Sequence, residues 1–401
     1  MSSQNRIGDI EILRAIAVLM TVIYHVPFLL IWNPSFYNVI SSYFGFWSGV
    51  DLFFVISGFV IAKDLFAKLK GAVTVEHKWR ILVGFWIRRA WRILPSAWLW
   101  LFVTLLGSIV FNDSAAWGTF HGNLSAASAV FTQTENIHFF DYMYHGLGGE
   151  NSLGCYWTLS LEEQFYIMLP LLFVLFMQHS KVILGIIFFA QMIELIYLPQ
   201  IGSYVFLSVF IVGVFLSLFY QSHLYHLVKP VFLKNSAIRL PVIFLLILNL
   251  MLVSSGNVIP FPSNVILVEA VAALLVLVAS YNADYVFPRG IFRRILEWIG
   301  ARSYAIYLIH IPAFLFTREL WFRLDAISSN QFFSGRDTFK FLLVAVAFII
   351  IFSELNYRIL ETPLRRRGKI IADRLVGVDV VIVGSERKED NDISKISVDA
   401  V

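Results

Sequence analysis

Ten apolar runs constrain this chain more than any other feature. They fall at about residues 10–30, 46–65, 94–111, 157–177, 182–198, 203–220, 240–254, 264–280, 301–317 and 339–357. Most approach the roughly 20 residues that cross a bilayer as a helix. Composition agrees: 58% of the 401 residues are hydrophobic and 14% are charged, against about 25% charged in a soluble domain. An aromatic content of 16% fits helices with interfacial belts. The sequence predicts an all-α, polytopic membrane helical bundle of about ten transmembrane helices.

The placement of Lys and Arg sets the direction of the spans. Residues 63–92 hold Lys63, Lys68, Lys70, Lys78, Arg80, Arg88, Arg89 and Arg92, and no Lys or Arg occurs between Ile93 and Ser180. Further basic clusters are Lys229/Lys234/Arg239, Arg289/Arg293/Arg294 and Arg365/Arg366/Arg367/Lys369. Ten spans with both termini in the cytoplasm put these clusters inside and loop 112–156 outside. Arg318, Arg323, Arg336 and Lys340 then fall outside, against the rule. Because the basic residues flank apolar spans, they fit membrane lipids and argue against nucleic acid as a partner. Residues 1–366 read as one transmembrane domain and 367–401 as a cytoplasmic tail. Within that tail, Ser385–Asp392 is expected to be disordered and Val378–Val383 to form a short strand. The first run has no small-residue cleavage site after it, so no cleavable signal peptide is expected. Cys155, the sole cysteine, excludes an internal disulfide.

The first run carries Arg14 and His25. A charge inside a membrane helix costs about 2.5–3.5 kcal/mol on insertion scales and marks a function or a pairing need. Their spacing returns to within about 20° of one helix face, about 16 Å further along the axis. Ala17 and Thr21 line the lane between them, which is expected to be part of a passage across the membrane.

Depth then groups the acids. His25, Asp51 in the second span, and Glu162 and Glu163 in the fourth all fall toward the outer face. A carboxylate beside a histidine fixes its tautomer and supports the imidazolium formed when it takes a proton. His25, Asp51 and Glu162 are therefore the candidate catalytic group. Taken singly, His25 is as well explained by a bond to a backbone carbonyl, and Asp51 by the helix macrodipole. Adjacent residues point about 100° apart, so one of Glu162 and Glu163 is expected to face inward. Asp51, Val55, Gly58 and Ala62 share a face of the second span, where Gly58 and Ser57 permit close helix approach.

On the cytoplasmic side, Arg89 and Arg92 are three residues apart and share a helical face. Such a pair suits phosphate or diphosphate through forked hydrogen bonds; a lipid-headgroup anchor is the plainer alternative. Arg14, one to two turns inside the same membrane face, favours a phosphate-bearing ligand. In the ninth span Tyr304 and His310 precede Pro312, which is expected to kink the helix end. His310 suits helix packing better than a second base. Glu194, Glu269 and Glu354 have no obvious partner. His121, His138 and His145 in the outer loop lack metal-ligand spacing, so no metal is expected. Neither a nucleophile elbow, a P-loop nor a dinucleotide fingerprint is present.

Five segments in order carry a resemblance. They are Leu13-Arg14-Ala15-Ile16-Ala17-Val18 with His25, the stretch Gly49 to Phe59, Arg89 to Pro95, Trp157 to Tyr166, and Ser303-Tyr304 through His310-Ile311-Pro312. Over about residues 10–366 the chain resembles acyltransferase family 3, bacterial inner-membrane O-acyltransferases. The family pattern usually has Ser where this chain has Thr158. Many relatives carry an extra esterase-like domain after the membrane part, for which this chain is short. The resemblance implies transfer of an acyl group, commonly acetyl, from cytoplasmic acyl-CoA to a sugar hydroxyl of a surface glycan or lipid-linked precursor. Acyl-CoA would enter as co-substrate, with no bound cofactor. It also implies that Arg14, His25, Arg89 and Arg92 matter. The rival function is a transporter or flippase for a lipid-linked sugar, which would show internal repeats and paired broken helices.

Overall fold

The computed structural model describes residues 7–32, 34–146, 149–197, 207–328 and 337–377. Among them the chain is helical throughout, with no strand. Helices α1 (Gly8–Tyr24), α2 (Ser35–Tyr43), α3 (Ser48–Lys70) and α4 (Val75–Val110) are followed by two short helices, α5 (Phe120–Phe131) and α6 (Glu135–His145). Then come α7 (Tyr156–Leu175), α8 (Ser180–Tyr197), α9 (Leu207–Tyr220), the single-turn α10 (His223–Leu227), α11 (Ser236–Val253) and α12 (Ser263–Ser280). The last four are α13 (Ile291–Ala301), α14 (Ser303–Ser328), α15 (Thr338–Leu355) and α16 (Thr362–Val376). A π-helical stretch, Asn356–Glu361, joins the final two.

Each of the ten expected apolar runs overlaps a helix among the described residues. Six helical stretches are long and apolar enough to cross a membrane, and eight if each bent pair is one span. The bent pairs are α2 with α3, at 47°, and α13 with α14, at 74°. The two remaining runs lie in shorter helices, α1 with 17 residues and α9 with 14. The chain is thus a multi-pass membrane helical bundle. Helix α14 runs on through Pro312, and the sharp bend lies at Arg302 instead. Pro312 costs one backbone hydrogen bond, whereas at Arg302 the helix ends and restarts. The expected boundary after residue 366 falls inside α16, which packs along α4 where Gly368 meets the Trp91 side chain. The segments expected to be disordered or a strand, 385–392 and 378–383, lie outside the described residues.

Local chemistry places the helix ends. Thr74 caps α4 by accepting from the His77 amide at 3.2 Å, and Thr119 caps α5 from Gly122 at 3.0 Å; each satisfies an otherwise unpaired amide. At one end of the bundle Asp9 accepts from Arg293 (3.0 Å) and from the Tyr285 amide (2.9 Å). At the other, Glu319 holds the Asp113 and Ser114 amides, and Arg323 pairs with Glu319 and Asp113. Two of the basic residues that break the charge rule are thereby accounted for: Arg323 is ion-paired and Arg318 donates to the Phe28 carbonyl.

Helices α3 and α9 cross at backbone contact. A Cβ at Gly58 would collide with the Phe210 carbonyl, and one at Gly213 with the Val55 carbonyl. Small residues let membrane helices approach to backbone contact. Gly58→Ala is expected to cost about 1–3 kcal/mol through overpacking, lowering the thermal unfolding midpoint in detergent. An unchanged midpoint would show that the crossing tolerates a methyl group.

Candidate functional site

Helices α1, α3, α4, α7 and α14 surround a cavity of about 720 Å³, counting its open mouth. Arg14, Arg89 and Arg92 line it together with Ser57, Glu162 and Tyr304. Six of the residues singled out in the sequence, from five helices, therefore share one cavity. Thr158, Tyr166 and Tyr307 complete its polar lining.

The three guanidiniums differ in their commitments. Arg14 donates to Glu11 at 2.8 Å, one turn back on the same helix. Arg89 stacks over the Tyr166 ring, 4.8 Å from its centroid, a cation–π geometry. Neither Arg89 nor Arg92 makes an ion pair among the described residues, though Glu361 and Glu11 are charged neighbours of Arg92. A half-buried guanidinium without a carboxylate partner is costly unless an anion binds it. Opposite them, Glu162 accepts from Ser57 at 2.7 Å and from the Tyr166 hydroxyl. Glu163, its neighbour, does not line the cavity, and its buried Oε1 has no hydrogen-bond partner among the described residues.

The cavity has a direction. Tyr304 donates to the Ile93 carbonyl at 2.7 Å, next to Arg92. One turn along α14, the Tyr307 hydroxyl is held by the Cys155 carbonyl (2.8 Å) and Thr158 (2.5 Å). One turn further, His310 is fully buried, and its Nδ1 lies 2.6 Å from the Tyr307 carbonyl. His310 Nε2 is 3.2 Å from Nδ1 of His25, which also lies 2.9 Å from the Thr21 carbonyl. The chain of bonds fixes the protons. A carbonyl only accepts, so His310 Nδ1 carries hydrogen and, in the neutral ring, its Nε2 is an acceptor. His25 Nδ1 then carries the hydrogen shared between Thr21 and His310, which leaves His25 Nε2 with a free lone pair.

The sequence placed Asp51 and Glu162 at the depth of His25, and the structure gives that histidine other partners. Glu162 is committed to Ser57 and Tyr166. Asp51 is buried on α3, with Glu269 of α12 as its charged neighbour and Oδ2 unpartnered among the described residues. Neither carboxylate reaches ion-pair distance of His25. Sequence reasoning missed Tyr307 and Tyr166, although their spacing was a signal: each lies three or four residues, one helical turn, from His310 or Glu162. It also left Glu269 and Glu354 without partners. Glu269 accepts from Ser208 at 2.6 Å, and Glu354 pairs with Arg302 and Arg358.

A bundle of spans enclosing a cavity with three guanidiniums on its wall, and an imidazole pair one turn beyond its lining, is the candidate site of a membrane enzyme. The acyltransferase domain of acyltransferase family 3 matches residues 7–355, and the chain belongs to that family. It is 27% identical over 395 residues to peptidoglycan O-acetyltransferase OatA of Listeria monocytogenes, covering 92% of this chain and 57% of that protein. With the putative peptidoglycan O-acetyltransferase YrhL of Bacillus subtilis it shares 26% over 412 residues, 98% of this chain and 60% of the relative. With O-acetyltransferase OatA of Staphylococcus aureus it shares 22% over 392 residues, 92% and 58% respectively. The chain thus spans less than two thirds of the length of these curated relatives. No solved structure matches it.

Proposed function

We propose that this protein is a membrane O-acetyltransferase that moves an acetyl group from cytoplasmic acyl-CoA to a sugar hydroxyl of a cell-wall glycan, the names of its relatives favouring peptidoglycan. The observation that carries the reading is the pair Arg89 and Arg92, without ion pairs among the described residues, on the wall of a cavity whose lining reaches Tyr307, one turn from His310, the partner of His25. The CoA phosphates bind Arg89, Arg92 and Arg14 through charge-assisted hydrogen bonds. The pantetheine arm follows the lane between α1 and α14, which run in the same direction from Arg14 and Ser303 toward the histidine pair. His25 Nε2 takes the proton of the acceptor hydroxyl as it attacks the thioester carbonyl, directly or through a transient acyl group on the protein. The C–S bond breaks and the thiolate of CoA is released. His310 holds the tautomer that leaves His25 Nε2 free, and Glu162 with Ser57 and Tyr166 lines the path.

This reading keeps the ten-span topology in the bacterial cytoplasmic membrane, with both termini inside. The concentration of Lys and Arg in residues 63–92 and their lack between Ile93 and Ser180 support it. The test is transfer of label from acetyl-labelled coenzyme A to a peptidoglycan fragment by the purified protein. Label in an alkali-labile ester on the sugar is expected. Movement of a lipid-linked sugar across vesicles with no ester formed would instead favour a flippase.

A further inference from the structure

Outside this cavity, α5 and α6 bring together three side chains that the transfer reaction above does not use. Ser125 Oγ lies 3.0 Å from His138 Nε2. On the other edge of the ring, His138 Nδ1 lies 3.2 Å from Glu135 Oε2. Both distances fall within the 2.6–3.2 Å reach that couples a nucleophile to its base and the base to its orienting group. Nε2 meets the serine as a hydrolase-type triad requires; Nδ1 is near the carboxylate but makes no hydrogen bond to it among the described residues.

Two observations separate this cluster from a surface coincidence. Glu135 is fully buried, and neither of its oxygens makes a hydrogen bond among the described residues; Oε2 sits off the line of an ideal bond to the ring. No Lys or Arg occurs anywhere between Ile93 and Ser180, so no permanent cation of its own loop offsets Glu135. A buried carboxylate with so little compensation is costly and calls for an explanation. The scaffold is also fixed. Asn123 of α5 donates to the Trp117 carbonyl at 2.6 Å and accepts from the Ser152 amide at 2.8 Å. Gln164 of α7 holds the Gln133 carbonyl at 2.8 Å and Asn136 at 2.9 Å. Ser125 itself is only half-buried, so a substrate can reach it.

We propose that Ser125, His138 and Glu135 form a second acyl-handling site, a nucleophilic serine that takes an acyl group from an activated ester or thioester. Ser125 Oγ attacks the acyl carbonyl and its proton passes to His138 Nε2. The bond to the leaving group breaks, and the leaving alcohol or thiol takes that proton. The product is O-acyl-Ser125, with no change of oxidation state. An acceptor hydroxyl then gives its proton to His138, attacks the acyl-serine carbonyl and expels Ser125, which recovers the proton. Glu135 holds the imidazole tautomer with hydrogen on Nδ1.

Burial pushes the Glu135 carboxyl up to about 9 and holds the His138 imidazole below its ordinary value. The other titratable neighbours are Asp141, on the same helix as His138, and Cys155 at the start of α7. The pair orients Ser125 once Glu135 has lost its proton, so acylation rises as the pH approaches that value.

The test uses the full chain in detergent with p-nitrophenyl acetate, which carries no CoA. Its outcome is therefore independent of whether Arg89 and Arg92 hold CoA phosphates. A burst of nitrophenolate is expected, with one acetyl on the peptide containing Ser125 by mass spectrometry. Ser125→Ala removes both; Ser128→Ala, an exposed serine on the same helix, removes neither. Glu135→Gln and His138→Gln slow the burst at least tenfold, and Glu135→Gln abolishes its rise toward pH 9. Should either variant unfold, as thermal melting would reveal, Ser125→Ala decides alone. No burst, acetyl only on other residues, or a burst indifferent to Glu135→Gln and His138→Gln in folded protein would overturn the proposal and leave the cluster as a helix-terminal contact.

Discussion

Replacing His25 with alanine is expected to lower acyl transfer by about 10²- to 10⁴-fold, the contribution of a positioned general base, while membrane insertion is unchanged. The size follows from the bond network rather than from histidine chemistry in general. The Tyr307 carbonyl fixes the hydrogen on His310 Nδ1, and the free His310 Nε2 accepts from His25 Nδ1. The proton inventory leaves one basic nitrogen in the pair, His25 Nε2, aimed away from His310. His310→Ala is therefore expected to fall between wild type and His25→Ala. The Thr21 carbonyl, at 2.9 Å, still favours the right tautomer in that variant but loses the second restraint on the ring. Initial rates at saturating donor check both. A His25→Ala enzyme with most of its rate would remove the histidine from the reaction, and a His310→Ala loss equal to that of His25→Ala would show that the two act as one unit.

Arg89→Ala and Arg92→Ala are each expected to raise KM for acyl-CoA about 10- to 100-fold. A hydrogen bond to a charged group is worth about 1.5–3 kcal/mol, and each 1.4 kcal/mol is about tenfold in affinity. The phosphates lie far from the thioester, so kcat should change much less than KM. Lysine at either position keeps the charge and loses the forked donor geometry, so Arg→Lys variants should lie between wild type and alanine. Rates measured over a range of acyl-CoA concentration give the split. An unchanged KM in both alanine variants would make the pair an anchor for lipid headgroups.

Much of this was legible in the sequence for a simple reason. A membrane span is written as length and hydrophobicity, so every expected run overlaps a helix among the described residues. Arg14, Arg89 and Arg92 were legible because a cation is conspicuous in or beside an apolar run. Azimuth was harder to read. Helix counting gives depth, and depth put Asp51, Glu162 and His25 in one layer; which helix faces carry them depends on packing between distant segments. The partner of His25 comes from α14, 285 residues away, and no local pattern encodes that contact. The 74° bend at Arg302 was hidden as well, since Pro312 advertises a break while Arg302 does not. The bend is held by tertiary chemistry: Arg302 pairs with Glu354 and lies over the Trp298 and Tyr357 rings. Ser125, Glu135 and His138 escaped notice because a loop without Lys, Arg or metal-ligand spacing gives no signal until α5 and α6 are folded against each other.

The most direct test of the account reconstitutes the protein in sealed vesicles, with acetyl-labelled coenzyme A confined to one side and a peptidoglycan fragment to the other. The account predicts labelled ester on the opposite-side acceptor when the donor is on the face carrying Arg89 and Arg92, and none in the His25→Ala protein. Ester formed only when donor and acceptor share a side would contradict it.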